Sequence, residues 1–434
     1  MKQRHKVYGN IKNTDPEAYR FITGELDRQQ KGLEMIPSES YASRAVLEAM
    51  GCIFNNKYSE GFPGKRYYGG QDFTDKIEQL AIDRAKRLFG VDHVNVQPYS
   101  GSPANQAVYF ALLQPGDTVL GMQLQHGGHI THGLKINFSG RFYNSVFYGV
   151  DKQGFIDFSQ VESMLKKHRP KMIIAGATAY PREWDFATFS KLARKYKTYF
   201  MADIAHIIGL IIGGAHQSPA GKADVITSTT HKTLRGPRAG IIMCNGKPSD
   251  PLRAPKNPTK RDIPTLIDRA IFPGLQGGPH EHTIAGIAVA LKEASGAEFK
   301  KWARQVVKNA KALAEVFIRR GFDLVSGGTD NHLILMNVTG KGLNGKEAET
   351  VLDKIGISVN KNAVPGDKRP PYSPSGIRLG TPCATIRGMK EDQMKILAQA
   401  MSDAMENHKS PKIVKKSERT VRQLCRDFPI YPEL

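Results

Sequence analysis

The chain has 434 residues, of which 40% are hydrophobic and 24% charged, as in ordinary soluble globular proteins. This length allows two domains, or one large α/β domain with an appendage. No run of about 18 apolar residues could span a bilayer, and the first residues lack the apolar stretch of a secretory signal, so we expect a cytoplasmic protein.

The 62 basic and 41 acidic residues give a net charge of +21, which attracts anionic partners without identifying one. No known nucleic-acid-binding module combines these charges with aromatic residues, so nucleic-acid binding is not the expected main function. Phosphorylated cofactors and polycarboxylate substrates suit the charge equally well. Four scattered cysteines without a C-x-x-C pair argue against a disulfide framework and a zinc site.

The first chemically distinctive segment is the loop at residues 58–70. It combines turn-forming residues with Tyr58, Tyr67, Tyr68 and one carboxylate, Glu60. A surface loop rarely needs so many aromatic side chains. Phenols and a carboxylate in one loop can donate, accept and transfer protons, so we expect this loop to belong to a functional site.

Residues 90–245 alternate short apolar runs with helical patterns, which predicts βα units around a mostly parallel sheet. The predicted strands are 93–97, 118–122, 172–177, 198–203, 225–228 and 240–243, and the predicted helices include 104–113, 159–167 and 186–196. In such sheets, ligands bind beyond the carboxyl ends of the strands. Residues 100–102, Asp203 and Lys232 all fall there.

Two of these positions suit an anion and a cation, respectively. Residues 100–105 follow a predicted strand and open a helix, with Pro103 suited to the first helical position. Free hydroxyls and backbone N–H groups there can hold a phosphate, although an ordinary strand-to-helix turn has the same sequence features. Asp203 ends an apolar strand, where it either pairs with a cation such as a pyridinium nitrogen or caps a helix.

His126, His129 and His132 are spaced three residues apart, which suggests a metal site. We reject this interpretation because Gly127 and Gly128 disfavour the helix that would align the imidazoles. Moreover, no cysteine or carboxylate stands nearby in the sequence. One of the rings is better suited to stacking on a flat ligand.

Lys232 is the most informative residue of the chain. It stands in a hydroxyl-rich segment beside His231, Arg235 and Arg238. Neighbouring cations disfavour a protonated amine, and a lysine that binds an aldehyde cofactor as a Schiff base must become neutral. Taken alone, the segment also suits a solvated surface lysine.

The remainder of the chain predicts a basic, proline-rich loop at 245–264 and then a smaller α+β domain. This domain contains a strand at 332–338 and a helix at 345–355. Residues 340–347 resemble a phosphate-binding loop, but Glu347 stands where a hydroxyl must bind Mg²⁺, so we expect only a helix start. Arg378 can hold a substrate carboxylate with its planar guanidinium, although a surface arginine is the commoner outcome.

Together these segments resemble the serine hydroxymethyltransferase family over nearly the whole chain. The matching segments are 36–40, 58–70, 100–105, 127–133, 203–206, 228–238, 272–279 and 375–382. The resemblance implies an α/β protein of the pyridoxal-phosphate fold type I, like aspartate aminotransferase. We accordingly expect an N-terminal arm at 1–40, a large cofactor-binding domain at 41–285 and a small α+β domain at 286–434.

The resemblance also implies a role for individual residues. The catalytic residues would be Lys232, which carries the cofactor, the proton shuttle Glu60, and His231 and Thr229. Pyridoxal 5'-phosphate would be bound by Ser100, Gly101, Ser102, His129, Thr178, Asp203, His206 and Lys232, with Tyr58, Gly277 and Gly278 supplied by a second subunit. The amino acid would be bound by Ser38, Glu60, Tyr67, Tyr68, Arg238 and Arg378. Tetrahydrofolate would be bound by Tyr67, Leu124, Gly128, Ile130 and Asn362, and no metal is expected.

The implied reaction interconverts serine and tetrahydrofolate with glycine and 5,10-methylenetetrahydrofolate. A homodimer with shared active sites, or a tetramer, is implied as the assembly. Thr178 stands where the family often has serine and retains the hydroxyl, whereas Ser40 replaces an asparagine. The alternative is a pyridoxal-phosphate aldolase or transaldolase that acts on another β-hydroxy amino acid without folate.

Overall fold

The structure is a computed structural model that describes residues 2–247 and 262–434. These residues form two compact units. The central unit comprises residues 40–304 as far as they are described, and the terminal unit comprises residues 2–39 together with 305–434. Most of the loop predicted at 245–264 lies outside the described residues, including Pro248, Pro251, Pro255 and Pro258.

The chain alternates strands and helices. The strands are β1 (Leu33–Glu34), β2 (Gly61–Phe62), β3 (Lys65–Arg66), β4 (His93–Asn95), β5 (Thr118–Met122), β6 (Asn144–Tyr148), β7 (Met172–Ala175), β8 (Tyr199–Asp203), β9 (Val225–Thr229), β10 (Gly240–Cys244), β11 (Asp323–Leu324), β12 (Leu333–Asn337), β13 (Ile357–Ser358), β14 (Asn360–Asn362) and β15 (Gly376–Gly380). The helices are α1 (Lys2–Thr14), α2 (Pro16–Lys31), α3 (Arg44–Met50), α4 (Asp72–Phe89), α5 (Gly101–Leu112), α6 (Phe138–Phe142), α7 (Phe158–His168), α8 (Phe186–Lys195), α9 (Ile208–Ile212), α10 (Ile263–Arg269), α11 (Glu281–Ala294), α12 (Ala297–Arg319), α13 (Gly345–Lys354), α14 (Pro382–Ile386), α15 (Glu391–Glu406) and α16 (Pro411–Asp427).

The central unit is built on a seven-stranded sheet in the order β4-β10-β9-β8-β7-β5-β6. Strands β6, β5, β7, β8 and β9 are parallel, whereas β10 is antiparallel to both β9 and β4. The predicted α/β class with a mostly parallel sheet is therefore confirmed. All of these strands except β6 were predicted to within two residues of their ends.

Helix α5 is fixed on this sheet by apolar packing. Ala104, Ala107 and Val108 belong to the same buried cluster as Val119 of β5 and Ile174 of β7. Strands covered by helices are buried on both faces, which explains their continuous apolar runs. This packing holds the amino end of α5 at the edge where the parallel strands end.

The terminal unit has a four-stranded antiparallel sheet in the order β11-β12-β15-β14 and a separate parallel pair, β1 with β13. Leu33 and Met35 of its N-terminal segment share a core with Leu313, Phe317 and Leu397. None of the described helices has the length and apolarity that crossing a bilayer requires.

The unit boundaries differ from the expected domain limits of 1–40, 41–285 and 286–434. Residues 2–39 join the C-terminal residues because β1 pairs with β13. The second boundary falls at 305 instead of 286 because α11 packs against α3 and α4 of the central unit. The segment that resembles a phosphate-binding loop is a helix start, as expected, because Asn344 and Glu347 each accept the other's backbone N–H.

Candidate active site

A cavity of about 250 Å³ opens where the parallel strands of the central sheet end. Its walls come from the segments that follow β4, β7, β8 and β9, from the turn before α6, and from the residues just before β10. It is lined by Ser100, Gly101, Ser102, Asn105, His129, Ala177, Thr178, Asp203, Ala205, His206, Thr229, His231, Lys232 and Arg238. The structure thus brings together most of the residues expected to bind the cofactor.

The amino end of α5 forms one wall of the cavity. Ser100 precedes the helix in an extended conformation, and its side chain caps none of the N–H groups of α5. Gly101 and Ser102 begin the helix, so Pro103 is its third residue. The sequence had suggested that Pro103 is the first. The uncapped N–H groups and the helix dipole favour an anion at this end.

Asp203 ends β8 and carries a negative charge into the cavity wall. One carboxylate oxygen accepts hydrogen bonds from Asn105 Nδ2 at 2.8 Å and, at 3.0 Å, from His132 Nε2. Burial by itself raises the pKa of Asp203, but the hydrogen bonds from His132 and Asn105 and the electrostatic effect of the two histidines outweigh it. The pKa lies well below its usual value, so the carboxylate is ionised and suited to a cationic ring nitrogen.

The hydrogen bonds of Asp203 continue to His129. Asn105 also donates to Thr131 Oγ1 at 2.8 Å, and Thr131 Oγ1 lies 2.6 Å from His129 Nδ1. Thr227 Oγ1 donates to Asn105 Oδ1 at 2.6 Å, which fixes the orientation of the amide. The network therefore holds the His129 ring in place at the cavity wall.

The same network bears on whether the histidines could form a metal site. The sequence showed no carboxylate near the histidines, but the fold brings Asp203 to them, and potential ligand atoms of Asp203, His129 and His132 lie within 4.8 Å of one another. The argument that no carboxylate stands near the histidines was therefore wrong for the folded chain. We nevertheless favour the hydrogen-bonded network, because it already uses Nε2 of His132 and Nδ1 of His129. His126 lies elsewhere, with Nδ1 accepting from the N–H of Val150 at 2.9 Å.

Lys232 lies in the turn between β9 and β10 and is only 9% exposed. Of the three cations expected around it, His231 differs from the prediction. Burial, together with the charges of Arg238 and Lys232, lowers the pKa of His231 to about 3, so this ring is neutral. The guanidinium of Arg235 lies over the ring of Trp302, 5.3 Å from its centre. Arg238 is the expected cation that lines the cavity.

His231 lines the cavity, but one of its ring nitrogens does not face open space. Its Nδ1 is buried and has no hydrogen-bond partner within the described parts of the chain. Leaving a buried polar atom in this state destabilises the protein.

The loop at 58–70 forms a second cluster of expected residues, which is not part of the cavity lining. The hydroxyls of Tyr58 and Tyr68 each lie 3.3 Å from a carboxylate oxygen of Glu60. A Cβ atom on Gly277 would lie 3.0 Å from Glu60 Oε1, and one on Gly278 would contact the Tyr58 ring. Tyr58, Tyr67 and Tyr68 are exposed.

The remaining expected residues lie in two places. Leu124 and Ile130 are exposed in the short helical turns Leu124–His126 and Ile130–His132, on either side of Gly128. Ser38, Asn362 and Arg378 lie in the terminal unit. Arg378 is 9% exposed on β15 and donates from Nε to Asn360 at 2.9 Å, and burial lowers its pKa to about 10.

A family model of serine hydroxymethyltransferases matches residues 11–401 of the chain. The chain belongs to the serine hydroxymethyltransferase family. Its members have pyridoxal-phosphate fold type I, are pyridoxal-phosphate-dependent transferases, and use tetrahydrofolate as a co-substrate. The predicted family, fold class and cofactor class are therefore confirmed.

The cavity of this family member suits pyridoxal phosphate. The uncapped amino end of α5 suits its phosphate, and ionised Asp203 suits a protonated ring nitrogen. Sequence reasoning missed Asn105 and His132 as supports of Asp203. The sequence did contain a signal for Asn105, because this amide lies on the same helix face as Ala104 and Val108, which are buried in the core.

Proposed function

We propose that this protein catalyses the reversible transfer of the serine hydroxymethyl group to tetrahydrofolate, with pyridoxal phosphate as cofactor. The observation that carries the proposal is the ionised Asp203, held by Asn105 and His132, in one cavity with Lys232. The family match supports this chemistry. Glu60 and its tyrosines favour folate-dependent transfer over the aldolase alternative.

Different cavity residues would bind different parts of the cofactor. The amino end of α5, from Ser100 to Ser102, would hold the phosphate, and His129 would stack on the ring. Thr178 and His206 would bind the phenolic oxygen, and Lys232 would hold the aldehyde carbon. Bound pyridoxal phosphate supplies the electron sink for breaking the Cα–Cβ bond of serine.

The other assigned residues act on protons and on the substrate. Asp203 holds a proton at the ring nitrogen, because its carboxylate is ionised in the folded protein. Glu60 moves a proton at the hydroxymethyl oxygen of serine, helped by the phenols around it. Arg378 is proposed to bind the substrate carboxylate with its planar guanidinium, and Arg238 is proposed to contact the amino acid.

We also propose a homodimer in which Tyr58, Glu60, Gly277 and Gly278 complete the cavity of the second subunit. Its support is that these residues lie together, that Tyr58 is 57% exposed, and that none of them lines the cavity of its own chain. Cytoplasmic location stays a prediction from the sequence. Sedimentation of the purified protein will give the number of subunits.

Replacing Gly101 with alanine is expected to weaken cofactor binding about tenfold to a hundredfold, which corresponds to overpacking by about 1–3 kcal/mol. A Cβ atom on Gly101 would lie only 2.6 Å from the methyl carbon of Thr229, so either the Thr229 side chain or the start of α5, both of which line the cavity, must shift. Cofactor titration followed by absorbance measures the effect. The matched control is Gly24→Ala, where no atom lies within 4 Å of the new methyl group.

Folate dependence decides between the proposed reaction and the aldolase alternative. With serine as substrate, we expect glycine and 5,10-methylenetetrahydrofolate to form together and only in the presence of tetrahydrofolate. Threonine is tested as another β-hydroxy amino acid, and the Lys232→Ala protein gives the background rate. Cleavage of threonine without folate, together with no turnover of serine with folate, would exclude our proposal in favour of the aldolase.

A further inference from the structure

Buried side chains hold the backbone on both sides of Glu60. Arg66 Nη1 donates to the carbonyl of Ser59 at 2.8 Å and to that of Gly61 at 3.1 Å, and Gln97 Nε2 also donates to the carbonyl of Gly61 at 2.9 Å. The carbonyl of Glu60 itself accepts from the N–H of Tyr67 at 3.1 Å. The Arg66 guanidinium is therefore bound to the carbonyls on both sides of Glu60.

Three carboxyl groups surround that guanidinium. Asp75 of α4 accepts a hydrogen bond from Arg66 Nε at 2.9 Å, and Glu78 of α4 accepts one from Arg66 Nη2 at 2.6 Å. Glu281, the first residue of α11, lies 3.8 Å from Nη1. The side chains of Arg66, Glu78 and Glu281 are each at most 3% exposed. His280 and His282 flank Glu281 along the chain.

One guanidinium cannot neutralise three carboxylates, and an uncompensated buried charge is strongly unfavourable. Glu78 is bonded both to Arg66 and, at 2.7 Å, to Gln97 Nε2, so it is the better stabilised anion of the two buried carboxyls. Glu281 accepts only from the Ser59 hydroxyl at 2.6 Å, and its other oxygen has no hydrogen-bond partner in the described part of the chain. The proton therefore belongs on Glu281.

We propose that Arg66 is a positioning residue for Glu60, and that it holds Glu60 in position only while the neighbouring Glu281 carboxyl is neutral. This inference rests on the proposed function for the role of Glu60. The reason is that Nη1 of Arg66, which holds the Ser59 and Gly61 carbonyls, is also the nitrogen that faces Glu281. A negative Glu281 would compete with the two carbonyls for that nitrogen.

The expected pH dependence follows from the electrostatics of Glu281. Burial and then the charge of Glu78 raise the pKa of Glu281, whereas the hydrogen bond from Ser59 and the charge of Arg66 lower it. The net result is a pKa of about 8. Below this pH the carboxyl is neutral and Arg66 holds the loop. As the pH rises through this value, the carboxyl ionises and the loop around Glu60 loosens.

The first experiment compares the cofactor-loaded wild type with Glu281→Gln, which keeps the neutral shape at every pH. We expect kcat of the wild type to fall about tenfold above pH 8, as one misplaced catalytic group can cause, and kcat of the variant to stay level. The rate of amide hydrogen exchange in residues 58–62, corrected for its intrinsic pH dependence, should rise over the same pH range in the wild type but not in the variant. The same alkaline decline and exchange in both proteins would overturn the proposal.

The second experiment replaces Arg66 with lysine, whose single ammonium cannot reach both carbonyls and both carboxylates. We expect kcat to fall about a hundredfold with little change in KM. Arg84→Lys is the matched control, because Arg84 donates from α4 to the carbonyl of Ala288 on α11 and does not contact the loop. Unchanged kcat in Arg66→Lys would also count against the proposal. If the wild type fails to turn over serine, the proposed function fails, while the exchange data still decide whether Arg66 and Glu281 position the loop.

Discussion

Replacing Lys232 with alanine is expected to abolish the yellow colour of the cofactor-loaded protein and to lower serine turnover on the order of 10⁴-fold or more, as when a member of a catalytic unit is removed. The reason is that Lys232 is the lysine that lines the cavity. Borohydride reduction followed by mass spectrometry should fix pyridoxal phosphate to Lys232 in the wild type and leave the variant unlabelled.

The control for this experiment is Lys222→Ala. Lys222 belongs to the same unit, donates to the carbonyl of Ser218 at 3.0 Å, and is not part of the cavity wall. We expect this variant to keep wild-type colour, labelling and activity. If the Lys232→Ala protein still took up label at a lysine, the assignment of Lys232 would be wrong.

Replacing Asp203 with asparagine is expected to lower kcat by about 10²- to 10⁴-fold, because truncating a buried charge pair typically costs about 2–5 kcal/mol. An asparagine provides one acceptor and one NH₂ donor, whereas Asn105, His132 and the N–H of Ala205 all donate to Asp203. The variant loses the charge that holds a proton on the cofactor ring. The measurement is single-turnover kinetics with serine and saturating cofactor.

Asp224→Asn is the matched control for the aspartate. Asp224 immediately precedes β9 and accepts from the N–H of Phe200 at 2.9 Å, at the opposite end of the same sheet. We expect its kcat to match that of the wild type even if its stability falls. Equal losses of kcat in the two variants would show that the effect of Asp203→Asn comes from general damage to the sheet.

Most of the central sheet could be predicted from the sequence because its strands are buried on both faces and appear as apolar runs. The exception, β6, forms the edge of the sheet, and only Tyr148 among its five residues is fully buried. An edge strand has fewer covering neighbours, so its sequence lacks the continuous apolar run on which the prediction relied. The unit boundary at 305 was missed for another reason, since periodicity indicates that α11 is a helix but not which unit it packs against.

The residues of the candidate site were predictable where chemistry follows directly after a strand, as for Ser100, Asp203 and Lys232. Partners that act from other segments were not. His132 supports Asp203 from 71 residues away, and no spacing rule links them. The charge of His231 was misjudged because the sequence shows which residues are neighbours, but not how much water the fold removes from the ring.

The strand order also determines when the cavity can appear during synthesis. Among the described strands, β4 is paired with β10, yet the two are separated in the chain by β5 to β9. The turn that follows β4 supplies the amino end of α5, and β4 has no strand partner within the described residues until residues 240–244 have left the ribosome. Domains generally fold as their chain emerges, amino end first. The nascent enzyme therefore cannot capture its cofactor until nearly the whole central sheet has been made.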